Sequence, residues 1–124
     1  MSTRATYEFV DEMDSFTVYK HYDGYPRCGL AAIANAQSMA WPLPRFEASD
    51  FAAAFVAANK TRGGDVYLTT GKDAHGDTEF HYQVREDGGT LLVKVWSLHS
   101  GGHDKLVASG SINELLAAHG VTRV

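Results

Sequence analysis

The chain opens in period-two alternation. Residues 6–10 and 15–21 are rich in β-branched and aromatic side chains, and the polar Asp11-Glu12-Met13-Asp14 between them has hairpin length. In the second run Phe16 and Val18 alternate with Thr17 and Tyr19. That puts Phe16 and Val18 on the core face and Tyr19 and His21 on the other. Asp23-Gly24 breaks the strand, because glycine tolerates a left-handed backbone, and Pro26 has no N–H to give a central ladder. From residue 28 to 40 the period becomes helical. Leu30, Ile33, Ala34, Gln37 and the pair Met39/Trp41 trace a partial apolar stripe, and five alanines favour helix. Trp41-Pro42-Leu43-Pro44 stops that helix.

A second helix is predicted over about 45–59, with Pro44 near its first turn. Phe51 and Phe55 share one face, and Ala48, Ala52, Ala54 and Ala58 beside them suit close packing. Lys60-Thr61-Arg62-Gly63-Gly64 ends it with cations and then glycines. Strands are predicted at 65–70, 79–85 and 90–96, the last two joined by the turn Asp87-Gly88-Gly89. Residues 99–103, bounded by His99 and His103, read as a flexible loop. Ser111-Ile112-Asn113-Glu114 is a capping box for a short last helix. The order is β-β-α-α-β-β-β-α. It predicts one α+β domain over residues 1–124, an antiparallel sheet of about five strands with helices mainly on one face.

Composition narrows the function classes. Of 124 residues, 44% are hydrophobic and 21% charged, which suits a globular protein with a core of its own. No apolar run approaches the roughly 18–20 residues of a spanning helix, so no membrane role is expected. The first residues lack a signal peptide's apolar centre, and Cys28 is the only cysteine; both predict a cytoplasmic location. The net charge of −4, with no basic stripe, disfavours a nucleic-acid partner.

Three groups of residues carry candidate chemistry. Cys28 stands at a predicted helix start, where the helix dipole favours a thiolate, and Pro26-Arg27-Cys28-Gly29-Leu30-Ala31-Ala32 looks locally like the nucleophile helix of papain-like thiol enzymes, including phytochelatin synthases. His75, His81 or His103 would be its base. A second group, His75, Asp77, Glu79 and His81, would share one face of a continuous strand, but the spacing matches no zinc pattern and no metal is expected. The third is the aromatic and polar run of residues 19–27. Tyr19, Tyr22 and Tyr25 suit stacking or a protein contact, and Lys20, Arg27 and Lys72 suit phosphate or carboxylate. The same run also makes a structural corner.

Val18-Tyr19-Lys20-His21-Tyr22-Asp23-Gly24-Tyr25-Pro26, residues 51–60, Gly63-Gly64-Asp65-Val66-Tyr67-Leu68-Thr69 and His75-Gly76-Asp77-Thr78-Glu79-Phe80-His81-Tyr82 together resemble a group of small uncharacterised proteins of bacteriophages, prophages and some prokaryotes. That group typically carries a Tyr-Arg-His-Trp-Asp-Gly-Tyr-Pro run and later a His-Gly-Asp-x-Glu-Tyr run. Here Tyr22 replaces the tryptophan and Lys20 the arginine, and Cys28 lies outside the shared pattern. The resemblance implies a phage or mobile-element origin and expression in the host cytoplasm, and carries over no catalytic activity. By analogy of origin and size, the leading expectation is an accessory protein that binds a bacterial host protein and inhibits an immune component, as anti-CRISPR proteins do. Its contact surface would be Tyr19, His21, Tyr22, Asp23, Tyr25, Arg27, His75 and Asp77. One alternative is sequestration of a small nucleotide signal. Another is a hydrolase or transferase using Cys28 with His75. No cofactor is expected, and the oligomeric state, a homodimer included, stays open.

Overall fold

The computed structural model describes residues 3–98 and 104–120. Among the described residues six strands form one sheet: β1 (Ala5–Val10), β2 (Ser15–Lys20), β3 (Val66–Thr69), β4 (Phe80–Asp87), β5 (Thr90–Ser97) and β6 (Lys105–Ser111), in spatial order β3-β2-β1-β4-β5-β6. Helices α1 (Pro26–Gln37), α2 (Ala48–Asn59) and α3 (Ile112–Ala118) pack on one face, and a 3-10 turn, Lys72–Ala74, lies between β3 and β4. The domain is α+β and follows the expected order.

Two expectations about the sheet are corrected. It is mixed, because β1 and β4 run parallel with Tyr7 beside Tyr82; the other neighbours are antiparallel. It also has a sixth strand. β6 carries no period-two signal, since Leu106 and Val107 are adjacent and Ala-Ser-Gly-Ser follows them. A bulge opposite Val95/Trp96 breaks its alternation further. The loop expected at residues 99–103, with the candidate base His103, lies outside the described residues.

The core forms where the inward faces of the strands meet the helices. Tyr7 and Phe9 of β1, Val18 of β2, Tyr82 and Val84 of β4, and Val93 and Val95 of β5 pack against Leu30, Ile33, Phe51, Phe55, Leu115 and Leu116. Aromatic rings make its centre: Tyr7 lies 4.5 Å from Phe55 and stacks 4.6 Å from Tyr82, and Phe9 lies 5.1 Å from Phe51. Val18 is buried as alternation requires, whereas Phe16 at the start of β2 stays partly exposed.

Side-chain caps set the helix boundaries. α1 ends at Gln37, short of the expected residue 40, where the Ser38 hydroxyl donates to the Asn35 carbonyl at 2.7 Å. α2 starts at Ala48, after the expected 45, because Asp11 of the β1–β2 turn accepts the Ala48 N–H at 2.7 Å. The same carboxylate accepts the N–H groups of Met13 and Asp14, and these bonds hold its pKa below the usual value. The capping box of α3 forms as expected, with the Ser111 hydroxyl accepting the Glu114 N–H.

Candidate functional site

Residues 19–27 form a corner that the rest of the fold holds rigid. β2 ends at Lys20, and the His21 N–H still donates to the Asp65 carbonyl at 2.8 Å. Asp23 takes the left-handed backbone with φ of 56°, a conformation aspartate tolerates better than most side chains. Gly24 then presses against β1. Its N–H donates to the Thr3 carbonyl at 2.9 Å, and an added Cβ would lie 2.6 Å from Ala5 Cβ. The buried Tyr82 hydroxyl donates to the Gly24 carbonyl at 2.6 Å. Lys20 reaches over the corner to donate to the Tyr22 carbonyl. Pro26 follows as the first residue of α1, where its missing N–H leaves no orphan.

The eight expected contact residues divide into two sets. Tyr19, His21 and His75 form a half-buried lattice on the sheet face away from the helices, and the exposed Asp77 is tied to it through Arg4. Tyr19 is only 3% exposed, its ring stacks 4.1 Å from His75, and its hydroxyl donates to His21 Nδ1 at 2.8 Å. Burial raises the Tyr19 pKa. Arg4 Nε donates to the same His21 nitrogen at 3.3 Å, so Nδ1 carries no hydrogen, and Arg4 also pairs with Asp77 at 3.2 Å. His75 Nε2 bonds Thr69 at 3.1 Å. These contacts fasten residues 70–78 across the open face. The second set, Tyr22, Asp23, Tyr25 and Arg27, points to solvent, with Tyr22 38% and Tyr25 43% exposed. Arg62 lies 5.0 Å over the Tyr22 ring.

Sequence reasoning missed Arg4, Arg62 and Tyr67, whose ring lies 5.0 Å from Tyr19. Tyr67 could be assigned a face by alternation, but only the β2–β3 register places it opposite Tyr19. Nothing in the sequence around Arg4 or Arg62 ties them to the corner.

Cys28 and His75, the pair of the catalytic alternative, are not brought together. Cys28 is half-buried on α1, on the helix side of the sheet, while His75 lies over Tyr19 on the other side. Among the described residues no hydrogen bond joins Cys28 to a histidine. His21, His75, His81 and His119 are each bound elsewhere, the last to the Leu115 carbonyl. The possible metal row does not form either. Residues 72–78 turn instead of extending, so His75, Asp77 and His81 find separate partners, and among the described residues no three His, Cys, Asp or Glu side chains converge. The expected phosphate-binding cations also scatter, since Lys20 turns to Tyr22 and Lys72 pairs with Asp104 at 2.9 Å.

Beside the lattice, a cleft of about 560 Å³ opens between the sheet and the start of the 70–78 segment, lined by Glu8, Thr17, Thr69, Lys72 and His81 among others. His81 is buried at its floor. Nε2 meets the Glu8 carboxylate at 3.3 Å, which can only accept, so Nε2 carries the hydrogen and Nδ1 accepts from the Thr6 hydroxyl at 2.8 Å. Gln83 donates to the same Glu8 oxygen. Both ring nitrogens are occupied, so His81 offers no free base to a substrate. Desolvation lowers its pKa from 6.5, opposed by the facing Glu8 carboxylate and by Asp104, and aided by Lys72. The folded chain therefore favours neutral His81, and the unfolded chain binds the extra proton between the lowered value and 6.5. Stability should fall as pH drops below about 6.5 and level off beneath the folded pKa. Thermal midpoints between pH 7 and pH 5 should show a shallower slope for His81→Gln than for the parent chain. Equal slopes would remove His81 from the account.

No helix among the described residues is long and apolar enough to cross a membrane. No protein-family model matches the chain, and no curated protein or solved structure matches it.

Proposed function

We propose that this protein is a phage-type accessory protein that works by binding, and that it docks on a bacterial host protein of an immune system to inhibit it. One observation carries the binding reading: Tyr22 and Tyr25 stand 38% and 43% exposed on a backbone that is already clamped on several sides. Large aromatic side chains on a preorganised backbone lose little conformational freedom on association, and tyrosine and arginine dominate interface hot spots. Tyr22, Asp23, Tyr25 and Arg27 make the contact, with Arg62 stacked on Tyr22 beside them. His21 packs edge-on against the Tyr22 ring at 4.7 Å, and Tyr19, stacked on His75, holds His21 by its hydroxyl.

The dispersal of Lys20 and Lys72 favours a protein partner over a phosphate-bearing nucleotide. The phage origin rests on the sequence resemblance, and the counter-defence role on analogy of origin and size. The experiment is capture of host proteins from a bacterial lysate carrying intact immune systems, with the parent chain and with Tyr22→Ala/Tyr25→Ala. The double variant should lose the captured immune component at least tenfold while its thermal midpoint stays near the parent's, because exposed substitutions usually change stability by under about 0.5 kcal/mol. Undiminished capture by the double variant would overturn the assignment.

A further inference from the structure

Glu8 of β1 is a partly buried carboxylate, 27% exposed, that no cation meets among the described residues. Its Oε1 accepts from His81 Nε2 and Gln83 Nε2, each at 3.3 Å, and both donors are neutral. Arg85 is engaged on the Gln83 amide oxygen at 3.4 Å, and Lys72 pairs with Asp104 at 2.9 Å. Oε2 accepts nothing from the described residues. Thr17 stands directly opposite Glu8 on β2. Its hydroxyl also lacks a partner among the described residues, although Thr17 is only 9% exposed. Polar groups so nearly sealed are normally paired. Both residues line the cleft of about 560 Å³, which has the size of a small-molecule site.

We propose that this cleft binds a primary ammonium group, with Glu8 Oε2 taking its charge and the Thr17 hydroxyl accepting a second of its hydrogens. The site lies at the start of β2, the end remote from the tyrosine corner, and does not depend on the binding reading above. The sign of the charge follows from the lining. Lys72 is offset by Asp104 and neutral His81 adds nothing, so Glu8 decides it. A partly buried charge without a counter-ion is costly, and a bound cation relieves it. Because Oε1 already holds two donors, one oxygen remains. A guanidinium uses both oxygens for its paired contact, whereas an ammonium is a compact donor that needs one. Residues paired across antiparallel strands hold their Cβ atoms about 4.5–5.5 Å apart, so one nitrogen can meet both Glu8 and Thr17. A divalent metal would need several more oxygen ligands, and among the described residues no three His, Cys, Asp or Glu side chains converge. Phe16 and Leu68, 38% and 65% exposed, line the same cleft and give an alkyl chain an apolar surface. A free alkylamine and a lysine side chain share this chemistry.

The test uses the ¹⁵N-labelled chain near neutral pH and three probes of one chain length: pentylamine, pentanol and pentylguanidine. Pentylamine should shift the Glu8, Thr17 and Thr69 amide signals. It should bind about tenfold tighter than pentanol, the usual worth of a hydrogen bond to a charged group, and tighter than pentylguanidine. Glu8→Gln keeps an acceptor for His81 and Gln83 and should weaken pentylamine by the same factor. Thr17→Val should weaken it about threefold, as loss of a neutral acceptor does. Glu12→Gln, at an exposed carboxylate elsewhere, should change nothing. If Glu8→Gln unfolds, the pentanol comparison and Thr17→Val decide the matter. No shift at Glu8 and Thr17 would overturn the proposal. So would pentanol or pentylguanidine binding as tightly as pentylamine, or undiminished binding by folded Glu8→Gln. An N-acetylated pentapeptide with one lysine among glycines separates the two sources. Tighter binding of the peptide assigns a lysine of a protein partner, tighter binding of pentylamine assigns a free amine, and either supports the ammonium site. Tyr22→Ala/Tyr25→Ala should bind pentylamine like the parent chain, so failure of the amine site and failure of the tyrosine corner are separate results.

Discussion

Gly29→Ala is expected to lower the unfolding free energy by about 3 kcal/mol, the upper range for overpacking a filled core. A Cβ on Gly29 would overlap Tyr82 Oη and Cζ. Tyr82 cannot retreat, because its ring is stacked at 4.6 Å on Tyr7 and its hydroxyl is committed to the Gly24 carbonyl. Displacing it would strand a buried hydroxyl and leave that carbonyl unpaired, each costing about 1–3 kcal/mol. Alanine's better helix propensity returns only about 1 kcal/mol. Chemical denaturation checks the value, and a loss under 1 kcal/mol would show that α1 has room to move away from the sheet. The variant Gly29→Ala/Tyr82→Leu should be less destabilised than the sum of its single changes, since the shortened side chain vacates the space. The same displacement should loosen the corner, so on the proposed binding reading Gly29→Ala should weaken capture without altering Tyr22, Asp23, Tyr25 or Arg27.

Phe55→Ala should remove about 4 kcal/mol, in the usual range for deleting a buried aromatic ring. Phe55 is fully buried on α2 and lies 4.5 Å from Tyr7 and 5.5 Å from Phe9, so one ring seats the helix on the central strand. Its neighbour Ala52, buried in the same core cluster, is too small to refill the hole. Domains of this size have about 5–15 kcal/mol of stability in total, so the variant should be partly unfolded at physiological temperature. A denaturant midpoint near that of the parent chain would mean that α2 is held mainly by other contacts.

Alternation in the sequence made most of the sheet legible one strand at a time. It placed Val18 on the inward face, where it is buried, and Phe16 with it, although Phe16 stays partly exposed at the start of β2. Alternation assigns faces and says nothing of neighbours. The parallel pairing of β1 with β4 joins residues far apart in the chain, and no local signal announces it. β6 was illegible for a different reason, because its apolar pair is adjacent and its bulge shifts the register. His81 shows the limit at the level of the site. Its strand position assigns it to the wetter face, yet it is nearly sealed, because the route of residues 70–78 decides which part of that face is covered. The corner itself was legible from Asp23-Gly24 and Pro26. Its exposed and supporting tyrosines could be separated only once His75 was seen stacked on Tyr19.

The place of β1 in the sheet bears on how the chain emerges from a ribosome. β1 lies near the middle of the sheet, but its parallel neighbour β4 is about 75 residues later, as the Thr6–His81 bond shows. At about 5–20 residues per second, roughly 4–15 s pass between the synthesis of those two strands. Through that interval the β1–β2 hairpin can form, but one edge of β1 stays unpaired and Tyr7 and Phe9 lack half of their final cover. A nascent chain halted before β4 should therefore hold a sticky hairpin and two helices without a finished sheet. Chaperone capture during translation should be concentrated in that window and end when residues 80–87 clear the exit tunnel.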